Sequence, residues 1–353
     1  MIQPPKDLMD RMDRFMAACE ASRERHPALV VMLMHELFRN MYPSDPYIPR
    51  LPGDEGRHPL DVCADVLDRG IAVLGQFAGI GAYPQDFAQW CKDPAGCELK
   101  EATGKVYGAL WDEFPVDIVD EATAMLRTRL ADNGVDFSLF AGKRVLDAGC
   151  GSGRYSIALS RLGAGEVVGV DFGDGGLAFG RKLVADLGVA NVTFQKGSLL
   201  DLPFADESFD FVYANGTIHH TGDIPLGTRE AFRVLRQGGA AWYYVYGAGG
   251  FFWAARRLMN AFMKKIPQGL AMEVLRLLGM PRNRFIFCDT WYVPIEVHTP
   301  RAELEKLLAD TGFTSWTRCS RGVATDIDWL AQNGSEQDRL MWGEGDHRYI
   351  LGK

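Results

Sequence analysis

"KRVLDAGCGSGRYSIAL", Lys143 to Leu159, is the stretch whose reading decides the fold. Val145 and Leu146 suit a strand buried on both faces, and Asp147 closes it. Gly149, Gly151 and Gly153 follow, letting the backbone turn sharply and come close to a ligand that side chains would hold off. Arg154 to Leu162 then reads as a helix. A strand, a glycine turn and a helix in that order cradle a nucleotide-like cofactor, which is the expected occupant.

The same alternation continues outward. Strands are expected at Arg144 to Asp147, Glu166 to Asp171, Val192 to Gln195, Phe209 to Ala214 and Ala240 to Tyr246. Helices fall between them at Arg154 to Leu162, Gly175 to Leu187 and Leu226 to Leu235. Apolar strands alternating with helices make a parallel, doubly wound sheet, with its ligand crevice at the carboxyl ends of the strands beside the order reversal. Further on, Pro300 to Asp310 reads as a helix ended by Gly312, Phe313 to Cys319 as a strand, and "HRYILGK" as a last strand beside it.

Two regions break the alternation. Residues 1–104 read as a helical appendage: Leu8, Met12, Phe15, Leu29, Leu33 and Leu37 recur at helical spacing, with Pro27 dividing them. After a loop rich in proline and glycine, Leu60 to Phe77 and Pro84 to Trp90 also look helical. His26, His35 and His58 stand there without supporting motifs and read as structural. Residues 105–353 form the second domain, opening on the aromatic run "KVYGALWDEFP" and interrupted by a helical insertion at 247–298. Within it, Phe251 to Phe287 is strongly apolar and carries seven basic residues against the single acid Glu273.

Composition bounds the function. The chain has 353 residues, 47% of them hydrophobic and 24% charged, as in a folded globular protein. A formal net charge of -8 argues against a surface built to bind polyanions, so no nucleic-acid partner is expected. The seven cysteines lack the paired spacings of a zinc site, and reduced thiols are expected. No export signal or spanning run is visible, which points to a cytoplasmic protein.

The glycine turn separates two cofactor classes. A dinucleotide fingerprint needs glycine as its first, third and sixth residues, and Arg154 occupies the sixth place counted from Gly149. The spacing is instead D-x-G-x-G-x-G, over Asp147, Gly149, Gly151 and Gly153. Here the sequence resembles the class I S-adenosylmethionine-dependent methyltransferases, whose first motif has this form. "KGSLLDLPFADESFDFVYANGTIHH", "EAFRVLRQGG" and "TGF" resemble later stretches of that family, so the likeness covers about Val106 to Lys353 apart from the insertion. It implies a Rossmann-like, doubly wound, mostly parallel sheet of seven strands with the last antiparallel.

The resemblance also implies S-adenosyl-L-methionine as cofactor, held by Asp147, Gly149, Gly151 and Gly153, and by Asp171 at the second strand's end, where an acid accepts the ribose hydroxyls. Phe172, and Tyr107 with Trp111 ahead of the core, are further candidates for covering the cofactor. Many relatives bind the adenine amine with an acid after the third strand. Ser198 stands there, or Asp201 in a different spacing, with the Leu199 amide as another means. Asn215 is a candidate orienter, and His219 or His220 a base, or a support for the loop. The insertion reads as a lid over a bulky substrate, a basic surface resting on anionic membranes, a homodimer contact, or simply packed helices. The expected function is methyl transfer to a small, lipophilic molecule. RNA or protein methylation and noncatalytic cofactor binding are the alternatives, although the "NPPY" word of base N-methylation is absent, with "ANGTIHH" in its place.

Overall fold

Val145, Leu146 and Ala148 are all buried, as a strand covered on both faces requires. The computed structural model describes residues 2–42, 54, 56–79, 117–279, 284–323 and 326–353. In chain order its elements are α1 (Lys6–Ser22), α2 (Pro27–Asn40), α3 (Pro59–Phe77), α4 (Ile118–Asp132), β1 (Arg144–Ala148), α5 (Arg154–Arg161), β2 (Glu166–Asp171), α6 (Asp174–Asp186), β3 (Val192–Lys196) and β4 (Phe209–Asn215). There follow α7 (Ile224–Val234), β5 (Leu235–Tyr246), α8 (Gly250–Met263), α9 (Gln268–Leu277), α10 (Arg284–Trp291), α11 (Arg301–Thr311), β6 (Ser315–Arg318), α12 (Asp328–Asn333), α13 (Glu336–Trp342) and β7 (Asp346–Gly352). The helix expected at Pro84 to Trp90 and the aromatic run with Tyr107 and Trp111 lie outside the described residues.

One seven-stranded sheet runs in the order β3-β2-β1-β4-β5-β7-β6. Strands β1 to β5 pair in parallel, and β7 is antiparallel to both β5 and β6. The order reverses between β1 and β4, so the crevice opens at their carboxyl ends. Alternating side chains divide the core. Leu146, Val168, Val212 and Tyr243 meet α7 and α11 through Ala231, Val234, Leu304 and Leu308. Val145, Val167, Tyr213 and Trp242 meet α4 and α5 through Leu126, Leu130, Ala158 and Leu159 on the other face. β5 begins at Leu235, earlier than the sequence suggests, because the strand carries an irregularity: the pairing jumps from Phe209↔Leu235 to Phe211↔Ala240, and Gly238 takes φ +71° there.

The chain divides into two compact units: Met1–Gly96 with Ala248–Val293 and Leu330–Glu344, and Cys97–Gly247 with Pro294–Trp329 and Gly345–Lys353. The sequence reading separates residues 1–104 from the insertion at 247–298, whereas here residues 1–96 and 248–293 belong to one unit and residues 294–298 to the other. Phe251, Phe252, Trp253, Met259 and Met263 are buried, and rings at Tyr42 and Phe252 meet edge to face at 5.2 Å. Much of the insertion's positive charge is also paired: Arg256 is 2% exposed and bonds Asp289 at 2.9 Å, Lys265 bonds Glu20, and Arg276 bonds Glu273. A helix apolar on most of its circumference buries itself in this way. His58 caps α3 by accepting from the Leu60 amide, and His35 is buried with its pKa lowered to about 4 by desolvation. No helix among the described residues is long and apolar enough to cross a membrane.

A buried ionic knot ties the sheet's far edge in the second unit. Arg348 on β7 is 4% exposed and meets Asp326, Asp328 and Asp346. Asp326 in turn receives two bonds from Arg129 on α4, at 2.8 and 2.7 Å. Burial, opposed by Arg348 and reinforced by the neighbouring carboxylates, lifts Asp328 to about 7. Replacing Arg348 by methionine strands three buried carboxyl groups beside one remaining arginine. We expect a loss of about 3–5 kcal/mol in urea unfolding, and an unchanged midpoint would refute this account of the knot.

Candidate active site

The glycine turn between β1 and α5 is built from backbone that side chains would spoil. Gly149, Gly151 and Gly153 have φ of +83°, +51° and +76°, in the left-handed region that L side chains disfavour. A Cβ on Gly149 would lie 2.5 Å from Thr217, and one on Gly153 would lie 2.4 Å from the Phe194 ring. The Gly149 and Cys150 amides donate to the Val170 carbonyl at 2.8 and 2.9 Å. Asp171 completes the clasp: one carboxylate oxygen accepts from the Gly151 amide and the other from the Gly173 amide, each at 2.8 Å. Burial raises its pKa, opposed by those amide bonds.

Asp147 plays a different part from the one its position suggests. Facing α5 rather than the crevice, it is 2% exposed and accepts the Ser156 hydroxyl at 2.6 Å. Alternation explains this, because Leu146 and Ala148 take the opposite face of β1. Desolvation lifts its pKa to about 7. Phe172 stands beside Asp171 at 41% exposure, an apolar ring presented at the strand end. Ser198 uses its hydroxyl to accept the Leu200 amide at 3.1 Å, while Leu199 packs against the core and Asp201 stays exposed. Tyr107 and Trp111 lie outside the described residues.

These features fit a nucleoside with vicinal hydroxyls. Each Asp171 oxygen keeps acceptor capacity beyond its one amide bond, and the Phe172 ring offers a face for a base. Ser152, inside the turn, is 1% exposed and its hydroxyl has no partner among the described residues. The first turn of α5 adds amide donors and a positive dipole end.

The loop after β4 forms the other half. Thr217 donates its hydroxyl to the Ala148 carbonyl at 2.8 Å, and a Cβ on Gly216 would meet the Tyr244 ring at 2.9 Å. Asn215 accepts the Trp242 indole N–H at 2.9 Å, which fixes its amide because an indole can only donate. What Asn215 turns to a ligand is therefore its NH₂ edge. His219 is fully buried and stacks on Tyr246 with ring centroids 3.7 Å apart. His220 bonds the Ile295 carbonyl through Nδ1 at 2.8 Å, and a carbonyl partner requires that nitrogen to carry the proton. The His220 imidazole thus ties the loop to residue 295, and the His219 ring packs against Tyr246.

Sequence reading missed Tyr244, Tyr246, Glu296 and His298, which gather here: Tyr246 lies 6.0 Å from Tyr244 and 6.2 Å from His298, ring to ring, and Glu296 bonds His298. The signal was the spacing E-x-H in "PIEVHTP", where alternate residues of an extended segment share a face. A separate cavity of about 430 Å³, lined by Asp206, Glu207, Phe232, Arg233 and Lys353, lies at the strands' amino ends, away from this chemistry.

Residues 145–239 match a family described as "Methyltransferase domain". This stretch of the chain is a methyltransferase domain. S-adenosylmethionine is the cofactor of such domains, in keeping with the turn and its acid. The methyltransferase domain is 36% identical over 106 residues to a demethylmenaquinone methyltransferase of Staphylococcus aureus (strain MRSA252), an alignment covering 30% of this chain and 43% of that protein. The chain therefore spans less than half the length of the curated relatives it matches. Among solved structures, the YcgJ protein of Bacillus subtilis superposes with a TM-score of 0.42 at 20% identity, over 61% of this chain and 93% of the other. A methyltransferase of Aquifex aeolicus gives 0.40 at 18%, over 67% and 98%. The fold assignment rests on the sheet order itself.

The buried Asp147 makes a prediction about stability. An unfolded aspartate ionises near 3.8 and this one near 7, so between those values the folded chain holds a proton the unfolded chain has lost. Stability therefore falls as pH rises from about 4 to about 7 and levels off above. Asp147→Asn removes this dependence. Melting curves should show the wild type losing several degrees relative to the variant across that window, and parallel pH profiles would contradict the assignment.

Proposed function

We propose that this chain transfers the methyl group of S-adenosylmethionine to a small, lipophilic acceptor. The observation that carries the reading is the clasped glycine turn, in which the Asp171 carboxylate and the exposed Phe172 stand together at the end of β2. When bound, the cofactor supplies a methyl group already activated on a sulfonium, so the protein's task is alignment and exclusion of water, which can supply ~7–11 kcal/mol. Asp171 accepts the ribose hydroxyls, Phe172 lies against the adenine, and Asn215 directs its amide N–H groups at the cofactor or acceptor. Adenine recognition falls to the Leu199 amide, Asp201 or the Ser198 hydroxyl, which keeps its proton and a lone pair beyond the bond it accepts from Leu200.

The acceptor class is supported by the aromatic cluster of Tyr244, Tyr246 and His220 at the carboxyl ends of β4 and β5, and by the partial relative, whose name describes action on demethylmenaquinone. The net charge of -8 speaks against an RNA acceptor. Calorimetric titration should show S-adenosylmethionine binding and no heat with NAD. Asp171→Ala should weaken that binding at least about tenfold, the scale of a lost charge-assisted hydrogen bond. Methyl-labelled cofactor should pass its label to reduced demethylmenaquinone, recovered in organic solvent. Label appearing in RNA or bulk protein would replace the small-molecule reading, and failure to bind the cofactor would end it.

A further inference from the structure

The segment between the insertion and α11, Pro294 to Pro300, crosses the loop after β4 and the end of β5 as an extended strap. Its ties come at every second residue. The Ile295 carbonyl accepts from His220, the Val297 amide donates to the His219 carbonyl at 3.0 Å, and the Thr299 amide donates to the Tyr246 carbonyl at 3.2 Å. The Thr299 carbonyl also accepts from His347 on β7 at 3.0 Å. With residues 295, 297 and 299 bound to the sheet, Glu296 and His298 share a face of the strap. Their side chains are 7% and 5% exposed, and the glutamate is bonded to Nε2 of the imidazole. Both stand at the carboxyl ends of β4 and β5, beside the Tyr246 ring.

We infer that Glu296 and His298 form a proton-accepting pair for the acceptor, and that the acceptor presents a phenolic hydroxyl. The inference rests on the methyltransferase reading and extends it. A buried carboxylate bonded to one imidazole nitrogen fixes the tautomer and stabilises the protonated ring, the relation of base to orienter that activates hydroxyl groups elsewhere. Here Nε2–H donates to Glu296, so Nδ1 is the basic nitrogen. The acceptor's O–H bond breaks, its proton moves to Nδ1, and the electron pair stays on the acceptor as phenolate. That pair forms the bond to the incoming methyl at oxygen or, through the ring, at carbon, where Nδ1 then returns its proton to the oxygen and takes up the proton of the ring C–H bond that breaks; in either case the donor's carbon–sulfur bond breaks and its pair stays on sulfur. The rings of Tyr244 and Tyr246 beside the pair suit an aromatic acceptor. A neutral hydroxyl is a poor nucleophile, and water is excluded from so buried a site, so the proton needs a protein group to receive it.

The other titratable groups around the pair are placed for support. His219 and His220 come from the loop after β4, Tyr244 and Tyr246 from β5, and His347 and Arg348 from β7. His220 and His347 are tied to carbonyls, and the Arg348 guanidinium lies over the Tyr244 ring at 4.3 Å.

The test uses 4-nitrophenol, whose phenolate absorbs apart from its neutral form, added to the full chain with and without S-adenosylhomocysteine. We expect the wild type to enrich phenolate at a pH below the probe's own ionisation, His298→Asn to abolish the enrichment, and Glu296→Gln to weaken it. Calorimetry with S-adenosylmethionine reports on folding and on the cofactor site, and should be unchanged in both variants. With reduced demethylmenaquinone, His298→Asn should lower kcat by about 10²–10⁴-fold and regain part of it at high pH, where the acceptor ionises unaided. A wild type that binds the cofactor but shows no phenolate enrichment, or variants indistinguishable from it, would overturn the pair. A wild type that binds no cofactor would overturn the methyltransferase reading instead.

Discussion

Thr217 fills the space where a side chain on residue 149 would begin, and its hydroxyl reaches the carbonyl of Ala148. That contact joins the turn after β1 to the loop after β4, the two segments that flank the sheet's order reversal. It is possible only because residue 149 has no Cβ and sits at positive φ. The clasp of Asp171 is referenced to the first segment and the aromatic cluster at the end of β5 to the second. Their relative position is therefore set by one packed threonine rather than by long flexible loops.

Carboxylates in this domain divide by environment rather than by sequence position. Asp171 bonds to two amides and still faces the crevice, so it can serve both the turn and a ligand. Asp147, one strand away and equally prominent in the motif, is directed inward to Ser156 and carries the desolvation that lifts its pKa. Asp326, Asp328 and Asp346 are held in the interior by two arginines, and Arg348 ends that knot beneath Tyr244. The ionic knot and the aromatic cluster around Tyr244 thus share Arg348.

Much of the fold was legible because its signals are local. Buried parallel strands read as short apolar runs, and β2 falls at the limits the sequence suggests. The glycine turn and the acid that clasps it were legible for the same reason, lying in two short stretches. Glu296 and His298 were not, because nothing in "PIEVHTP" says that the strap crosses the loop after β4. The aromatic insertion was equally opaque, since burial and membrane contact demand the same apolar residues. The hidden Arg256 and the packed Phe252 are facts of tertiary packing.

By itself the sequence determined the alternation of strands and helices, the left-handed turn that only glycine tolerates, and the class of cofactor that turn admits. These follow from backbone sterics and from periodicity, which act over a few residues. Only the tertiary structure decided which carboxyl groups face the crevice, that His219 and His220 pin a strap, and that Glu296 meets His298 beside Tyr246. The strap's placement depends on hydrogen bonds between segments about 50 to 80 residues apart, for which chain order carries no local mark.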